Sequence, residues 1–292
     1  MRFGWFGFGS GALADADGMG EVAVAAERLG FESLWVGEHP VLIDPHEPPS
    51  PLPARSEMMD PIPALAFAAA RTERIRLGSG IVILPLRNPL TLAKELATID
   101  VLSRGRLMVG IGVGYVPGEY EALGVPFNTR GRRADEYVDA LRILWGQEAP
   151  SFHGDFVSFD GIQCRPQPMQ RPGPPIHASG MSTAARRRAV ARAEGWYGFF
   201  LDVEQTGNAL DELARLHKEV DRPPDLGVLE ITITPPPWNP LDIETVRRFE
   251  DLGVDRLVLM RDFADMAGGP DDALRAAILA DMAAVAERFS LS

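Results

Sequence analysis

The feature of this chain that most constrains its fold is a regular alternation of short apolar segments with longer amphipathic ones. The apolar segments have the composition of buried parallel strands, which are covered on both faces. They predict eight strands, at residues 2–6, 33–37, 75–83, 107–113, 175–178, 195–198, 226–234 and 256–259. Apolar residues at helical spacing predict helices at 20–29, 90–103, 135–144, 203–219, 245–252 and 271–289. About eight strand–helix pairs indicate an α/β fold of the (β/α)8 TIM-barrel type, because open doubly wound sheets usually have fewer strands.

Length and composition are those of one large domain. The chain has 292 residues, of which 46% are hydrophobic, and α/β barrels of this size are commonly single domains, so we predict one domain over residues 1–292. The one cysteine, Cys164, excludes an intramolecular disulfide and fits a reducing compartment. No apolar run reaches the roughly 20 residues of a membrane helix. Glycines interrupt the apolar segment 3–11, which is unlike a signal peptide, and we expect a cytoplasmic protein.

The charge balance limits the partners of the chain. A formal net charge of −12 argues against nucleic acid or an anionic membrane as the main partner. A small anionic ligand in a local basic pocket stays compatible with it. Arginines do cluster in two places, and we assign most of them to solvated helix faces. They are Arg130, Arg132, Arg133, Arg186, Arg187, Arg188 and Arg192.

Two long connections interrupt the alternation, one after the second predicted strand and one before the fifth. Residues 40–63 are rich in proline, and long loops of this kind are usually functional or disordered. We expect this loop to overhang the C-terminal face of the barrel. Residues 150–174 contain an alternating run at 152–159, which predicts a small hairpin added to the barrel.

The ends of the predicted strands carry the residues best suited to chemistry. Ligands of α/β proteins bind at the carboxyl ends of the strands, so the glycines around Gly112 indicate a binding face. Glu38 and His39 follow the second strand, and a carboxylate beside an imidazole can bind a ligand and move a proton at neutral pH. From the residues alone, two ordinary polar side chains at a strand end are the favoured interpretation of this pair. The other histidines are scattered and form no metal-ligand pattern, and no nucleophile elbow is present.

Two segments have the outline of phosphate sites. Residues 7–12 match G-x-G-x-x-A after a strand, but the helical pattern begins only near Gly20 and two carboxylates, Asp15 and Asp17, intervene, so a dinucleotide fold is disfavoured. At residues 178–184 a strand ends and a helix begins. Backbone amides, the hydroxyl of Ser182 and the helix dipole there would form a phosphate site, although an ordinary capped helix gives the same pattern.

Together these segments resemble the bacterial luciferase-like monooxygenase superfamily, and more closely its actinobacterial branch of deazaflavin (coenzyme F420)-dependent oxidoreductases. The resemblance spans about residues 1–200 in order and spacing. It rests on GFESLWVGEH at 30–39, TERIRLG at 72–78, LPLRNP at 84–89, LSRGR at 102–106, GIGVGY at 110–115, GVPF at 124–127, PGPPI at 172–176 and EGW at 194–196.

The resemblance implies a site at the C-terminal mouth of the barrel. A bulge in the third strand would fall on Ser79, Gly80 and Ile81, with a non-prolyl cis peptide at Gly80–Ile81, and would support the tricyclic ring of the cofactor. The phosphate would rest on four consecutive residues, Ser179, Gly180, Met181 and Ser182. Two departures bear on these contacts. Many relatives have a double glycine where this chain has Ser179-Gly180, and many have tryptophan and a polar residue where it has residues 115–117, YVP.

The function that the resemblance implies is hydride transfer between coenzyme F420 and a small, largely apolar organic substrate. His39 would relay a proton, and Glu38 would orient the ring or His39. Substrate would enter beneath the 40–63 loop. One alternative keeps the fold but uses FMN and a flavin reductase partner in a two-component monooxygenase, and another is a non-catalytic deazaflavin-binding protein. A homodimer is also implied.

Overall fold

The computed structural model describes residues 1–239 and 241–291, and at its centre parallel strands close into a barrel. In chain order the strands are β1 (Arg2–Phe6), β2 (Ser33–Val36), β3 (Arg76–Ser79), β4 (Val82–Ile83), β5 (Leu107–Gly112), β6 (Phe152–His153), β7 (Ser158–Phe159), β8 (Ile176–Ser179), β9 (Gly195–Phe199), β10 (Glu230–Thr234) and β11 (Arg256–Leu259). The barrel order is β3-β2-β1-β11-β10-β9-β8-β5, and β3 pairs with β5 to close it. Strand β4 continues β3 after a break and also pairs with β5. The predicted (β/α)8 barrel is confirmed.

Helices surround the barrel. They are α1 (Ala16–Arg28), α2 (Pro61–Arg71), α3 (Pro89–Leu102), α4 (Pro117–Ala122), α5 (Arg130–Gly146), α6 (Thr183–Arg192), α7 (Val203–Glu219), α8 (Ile243–Asp251) and α9 (Asp272–Phe289). Within the described ranges, none of them has the length and apolar character needed to cross a membrane.

Several predicted boundaries were wrong, and local capping explains them. Helix α1 begins four residues earlier than the predicted residue 20, because the Asp15 carboxylate accepts a hydrogen bond from the Gly18 amide at 2.6 Å and caps it. Helix α2 was missed because its sequence is apolar almost throughout and has no clear period. Its signal was Asp60 before Pro61, a capping residue followed by proline in the first turn. Strand β10 begins at Glu230 rather than 226, since Pro224–Leu226 forms a 3-10 turn.

Among the glycines after β1, Gly11 is required by packing. Gly11 has a φ of +52°, and a Cβ there would lie 2.2 Å from the carbonyl oxygen of Asp265. Glycine is therefore required by the close approach of the segment after β11. The closed barrel agrees with the sequence argument against a dinucleotide fold.

Both insertions have ordered structure. Strands β6 and β7 form the predicted hairpin, with Phe152 opposite Phe159. The long loop after β2 crosses the end of β1, where the Met59 amide donates to the Gly9 carbonyl and the Gly11 amide to the Glu57 carbonyl, each at 2.8 Å. This brings part of the loop over the C-terminal end of the barrel, as predicted.

The barrel interior is filled below this end by large side chains. Trp35 is fully buried and packs on Tyr197, with their ring centroids 5.1 Å apart. Its indole occupies space left by two glycines, since a Cβ on Gly78 would lie 2.6 Å from the Trp35 ring and one on Gly4 would lie 2.9 Å from it. The packed interior thus ends in a layer of aromatic rings, above which the barrel is open.

Candidate active site

A cavity of about 610 Å³ lies at the C-terminal ends of the barrel strands. Its size is within the usual range for small-molecule sites. It brings together nearly all of the residues predicted for the site. Those that line it are Glu38, His39, Gly80, Ile81, Gly112, Ser179, Gly180, Met181 and Ser182.

One wall of the cavity is the break between β3 and β4. The Gly80–Ile81 peptide bond is cis, which confirms the prediction made for it. A Cβ on Gly80 would lie 2.9 Å from the ring of Phe6, and a Cβ on Gly112 would lie 2.7 Å from the Ile81 side chain. Glycine at both positions therefore lets this segment pack closely against its neighbours.

Ser79 was predicted to contact the cofactor, and the structure places it elsewhere. Its side chain is fully buried, and its hydroxyl donates a hydrogen bond to the Gly110 carbonyl at 2.8 Å. It is not among the residues that line the cavity. Ser79 therefore ties β3 to β5 and supports the wall from behind.

Glu38 is buried at the end of β2, and its carboxylate does not pair with His39. Oε1 accepts from Nε of Arg87 at 2.7 Å, and Oε2 accepts from the Ile83 amide at 2.5 Å. Arg87 also bonds Asp60. Burial raises the pKa of Glu38, against the opposing effect of Arg87. Although burial alone would lower the pKa of Arg87, Glu38 and Asp60 raise it, so the guanidinium stays charged. Another residue must therefore orient the His39 ring.

That residue is Glu119, which the sequence analysis missed. Nδ1 of His39 and Oε1 of Glu119 are 3.0 Å apart, and Glu119 is fully buried. Its other oxygen, Oε2, has no hydrogen-bond partner in the described part of the chain. The Tyr115 ring meets His39 edge-on at 6.0 Å, and burial together with the charge of Glu119 raises the pKa of the Tyr115 hydroxyl. Because Glu119 holds Nδ1, Nε2 is the nitrogen of His39 that can meet a ligand.

Glu119 was missed because it lies on α4, a helix too short for a periodic pattern. Helix α4 has six residues, and proline opens it. The hydroxyl of Tyr120 donates to the Val113 carbonyl and fixes this helix against the end of β5. A Glu-Tyr pair a few residues after the glycines of β5 was the available signal.

The turn of residues 179–182, where β8 ends and α6 begins, has features suited to an anion, and we call it the α6 cradle. Gly180 has a φ of +131°, and a Cβ there would lie 2.7 Å from the Cβ of Ala185, so no other residue fits without a shift. Ser182 caps the helix as predicted, accepting from the Ala185 amide at 3.2 Å. The first amides of a helix have no partner within it, and with the helix dipole they favour a phosphate.

Arg130 supplies a positive charge to the same cavity. It opens α5, donates to the Phe127 carbonyl at 2.9 Å and stacks on the Phe127 ring at 3.8 Å. Its Nε is buried and has no partner among the described residues. A buried donor and a helix N-terminus that line the same cavity could hold the phosphate of a flavin-type cofactor, and the segment at Gly80 and Gly112 could support its ring.

Of the other clustered arginines, all but Arg133 pair with acidic groups, and Arg133 donates to the hydroxyls of Thr129 and Tyr137. Not all of them are on solvated faces as expected. Arg186 and Arg188 are buried, which corrects that expectation for them. Their partners are Glu212 and Asp135. The exposed or half-exposed pairs are Arg187–Glu219, Arg192–Asp139 and Arg132–Asp155.

Comparison with known proteins now identifies the class. The profile of the luciferase-like monooxygenases matches residues 1–237, and the chain belongs to this family. It is 32% identical to the uncharacterised protein Rv0953c of Mycobacterium tuberculosis over 248 residues, which are 80% of this chain and 83% of that one. It is 40% identical over 131 residues to the FMNH2-dependent dimethylsulfone monooxygenase of Pseudomonas putida, 44% of this chain and 36% of that one.

Two solved structures share the whole fold. The monooxygenase RslO1 of Streptomyces bottropensis superimposes with a TM-score of 0.75 at 23% identity, covering 99% of both chains. An F420-dependent secondary alcohol dehydrogenase gives 0.73 at 18% identity, covering 96% of this chain and 97% of that one. At these identities the likeness concerns the barrel alone.

Proposed function

We propose that this protein is an oxidoreductase that transfers a hydride between coenzyme F420 and a small, uncharged, largely apolar organic substrate. The observation that carries the proposal is the His39–Glu119 pair, with His39 on the wall of a cavity whose other walls fit a flavin-type cofactor. A buried carboxylate that holds one nitrogen of an imidazole is an arrangement suited to proton transfer by the other nitrogen.

The residues that would hold the coenzyme lie on β3, β5, β8 and α5. The α6 N-terminus with Gly180 and Ser182 would bind the phosphate, and Arg130 would add its charge. The segment at Gly80 and Ile81 would support the ring. When bound, the coenzyme supplies hydride chemistry at its tricyclic ring, and the protein supplies placement and a dry site.

His39 would move the proton that accompanies the hydride. Nδ1 is held by Glu119 at 3.0 Å, so Nε2 can give a proton to a substrate oxygen or take one from it in the reverse direction. Tyr115 is neutral next to this pair, because the ordinary pKa of a tyrosine hydroxyl is well above neutral pH, and partial burial and Glu119 raise the pKa of Tyr115 further. Pro51, Leu52 and Met58 of the long loop line the cavity and would keep water away.

The comparisons support two coenzymes, and an FMN-dependent monooxygenase is therefore a second candidate function. The F420-dependent secondary alcohol dehydrogenase shares the fold over nearly its whole length. The 40% identity with an FMNH2-dependent monooxygenase over 131 residues favours FMN instead, with a separate reductase that supplies the reduced flavin. A histidine held by a buried carboxylate at the cavity wall favours catalysis over storage of a coenzyme, so we propose an enzyme.

Anaerobic turnover separates the two candidates. Reduced F420 is mixed with the protein and a panel of uncharged ketones and aldehydes, and oxidation of the coenzyme is followed by absorbance. Consumption without oxygen supports hydride transfer. Turnover that needs reduced FMN and consumes oxygen supports the monooxygenase and contradicts our proposal.

The role of His39 has its own test in the same assay. His39→Ala is expected to slow turnover by about 10²-fold while the Kd of the coenzyme stays nearly unchanged, because proton transfer is lost and binding is not. His153→Ala is the control, since His153 is exposed on the hairpin and bonds only side chains of that segment. An unchanged rate in His39→Ala would remove the assigned role.

A further inference from the structure

We propose that the substrate is an uncharged, planar aromatic molecule that binds against one half of the cavity. This inference rests on the proposed function, which requires a substrate. The chemical nature of that substrate is argued from the cavity alone. We call the surface concerned the aromatic wall, formed by Phe6, Phe199, Phe200 and Phe263.

The order of strands around the barrel separates two halves of the cavity. The groups that fit the coenzyme come from β3, β5 and β8, and from α5 beside them. Phe6 of β1 lies at the boundary of the two halves, because its ring reaches Gly80. The other three rings of the aromatic wall come from the end of β9 and from the segment after β11, outside the arc of β3, β5 and β8. A coenzyme held by the first half therefore leaves the second half for the substrate, with His39 at the end of β2 between them.

The wall is a connected set of rings. The centroids of Phe6 and Phe199 are 5.2 Å apart, those of Phe199 and Phe200 are 4.2 Å apart, and Phe263 meets Phe200 edge-on at 5.7 Å. Phe199, Phe200 and Phe263 are only partly buried, so ring surface stays open to the cavity. Aromatic rings prefer offset-stacked or edge-to-face neighbours at such distances, which a planar aromatic ligand can supply and an aliphatic ligand cannot.

Phe200 is held in an unusual backbone conformation. Its φ of +57° is in the left-handed region, which is uncommon for a bulky residue. Such positions persist where the surroundings hold them, and they cluster at ligand sites. Trp238, which is 67% exposed, packs edge-on against the outer side of this cluster at 5.1 Å from Phe200.

The same half of the cavity carries no charge. Within the described part of the chain, every cavity residue from β1, the long loop, β9 and the segment after β11 is uncharged. The one hydroxyl among them, that of Tyr197, is 2.7 Å from the Thr234 hydroxyl and is already satisfied. A charged substrate would lose its hydration there without a partner.

Calorimetric titration with three probes tests the inference. The probes are 2-naphthol, its saturated analogue decahydro-2-naphthol, and 2-naphthoate, each titrated into the purified protein with and without coenzyme. We expect 2-naphthol to bind more tightly than decahydro-2-naphthol by about threefold to tenfold, the range that ring contacts supply. We expect 2-naphthoate to bind to the coenzyme-loaded protein more weakly than 2-naphthol does.

Variants locate the site. Phe200→Leu keeps an apolar side chain but removes the ring, and it should remove most of the preference for 2-naphthol while the affinity for decahydro-2-naphthol changes less than about twofold. Phe263→Leu is a second variant with the same expectation, for use if the first does not fold. Phe152→Leu is the control, because that ring stacks on Phe159 in the hairpin.

The outcomes separate this inference from the proposed function. A preference for 2-naphthol that depends on Phe200 or Phe263 supports the aromatic wall, even if no coenzyme turnover is found. Equal affinity for 2-naphthol and its saturated analogue, a preference that survives both variants, or tighter binding of 2-naphthoate than of 2-naphthol to the coenzyme-loaded protein would overturn it, even if coenzyme turnover is found. The proposed function fails separately, by the absence of coenzyme oxidation.

Discussion

At the scale of single residues, the proposed chemistry of the site depends on the acceptor that holds His39. Two carboxylates lie near the end of β2, and each bonds different partners. Glu38 bonds Arg87 and the Ile83 amide, and Glu119 bonds His39. An acidic residue adjacent to histidine in the sequence is thus not its partner in space, because consecutive residues at a strand end point in different directions.

Glu119→Gln tests this division. Glutamine keeps an acceptor for His39 but removes the charge, and we expect turnover to fall roughly 10- to 100-fold while the Kd of the coenzyme stays within about twofold. The control is Glu121→Gln, an exposed carboxylate two positions along the same helix. Equal turnover in Glu119→Gln and Glu121→Gln would show that the buried charge has no part in the reaction.

Gly180 makes a second prediction at this scale. In Gly180→Ala the new Cβ would collide with Ala185, so the cradle must shift, and we expect the Kd of the coenzyme to rise on the order of tenfold. Gly161→Ala is a matched control, because Gly161 also has a positive φ but nothing lies within 4 Å of its Cβ position. Equal Kd values of the coenzyme for the two variants, measured by equilibrium titration, would show that Gly180 is not part of the coenzyme site.

At the scale of elements, Arg87 joins three parts of the fold. It bonds Glu38 at the end of β2 and Asp60 at the start of α2, and it follows the short turn after β4. Because Asp60 also ends the long loop, this contact fixes the loop beside the cavity. The loop is therefore anchored to the wall that would hold the coenzyme.

Arg87→Ala should free the loop and destabilise the protein. Removing the guanidinium leaves Glu38 buried without its ionic partner, and breaking such a pair typically costs about 3 kcal/mol or more in the free energy of unfolding. We also expect faster proteolysis within residues 40–60. Arg132→Ala, which breaks an exposed pair with Asp155, should cost less than about 1 kcal/mol. Similar urea midpoints for the two variants would contradict this account.

Most elements could be predicted from the sequence, and the exceptions have physical reasons. Strand β1 and helix α7 lie where the apolar pattern placed them, because one period dominates each segment. Helix α4 is too short to show a period, and α2 is apolar on nearly all sides. The turn at Gly180 between β8 and α6 could be predicted because its residues are contiguous in the sequence. Glu119 and Arg130 were not assigned to the site because their approach to it depends on how distant elements pack.

At the scale of the whole molecule, the barrel encloses a charged cluster beneath the cavity. Arg256 is fully buried and bonds Glu32 and Thr232 at 2.7 and 2.9 Å, and it also bonds Glu230. Burial alone would raise the pKa of Glu230, but Arg256 holds this pKa at about 2. Burial lowers the pKa of His177 to about 4, although the nearby Glu230 opposes that shift.

Both shifts make the fold less stable in acid. His177 is neutral in the folded state near neutral pH. As the pH falls, the unfolded chain takes up a proton at the ordinary histidine pKa of 6.5, whereas the folded protein does so only near pH 4. Stability is therefore lost as the pH falls between these values. Glu230 adds a further loss as the pH falls from its ordinary value of 4.5 toward 2.

His177→Leu separates these contributions. Between pH 7 and pH 5 the wild-type protein should lose about 2 kcal/mol of unfolding free energy through His177, and the variant should lack that part of the slope. Urea denaturation at several pH values measures it. Parallel pH dependence in the two proteins would show that His177 does not titrate as described.

The central claim is that the cavity at the mouth of the barrel binds a deazaflavin through the α6 cradle. The measurement that tests it most directly is equilibrium titration of the purified protein with F420 and FMN side by side, followed by quenching of tryptophan fluorescence. We predict tight binding of F420, weak binding of FMN, and loss of F420 affinity in Gly180→Ala but not in Gly161→Ala. Tighter binding of FMN than of F420, or an F420 affinity that Gly180→Ala leaves unchanged, would contradict the account.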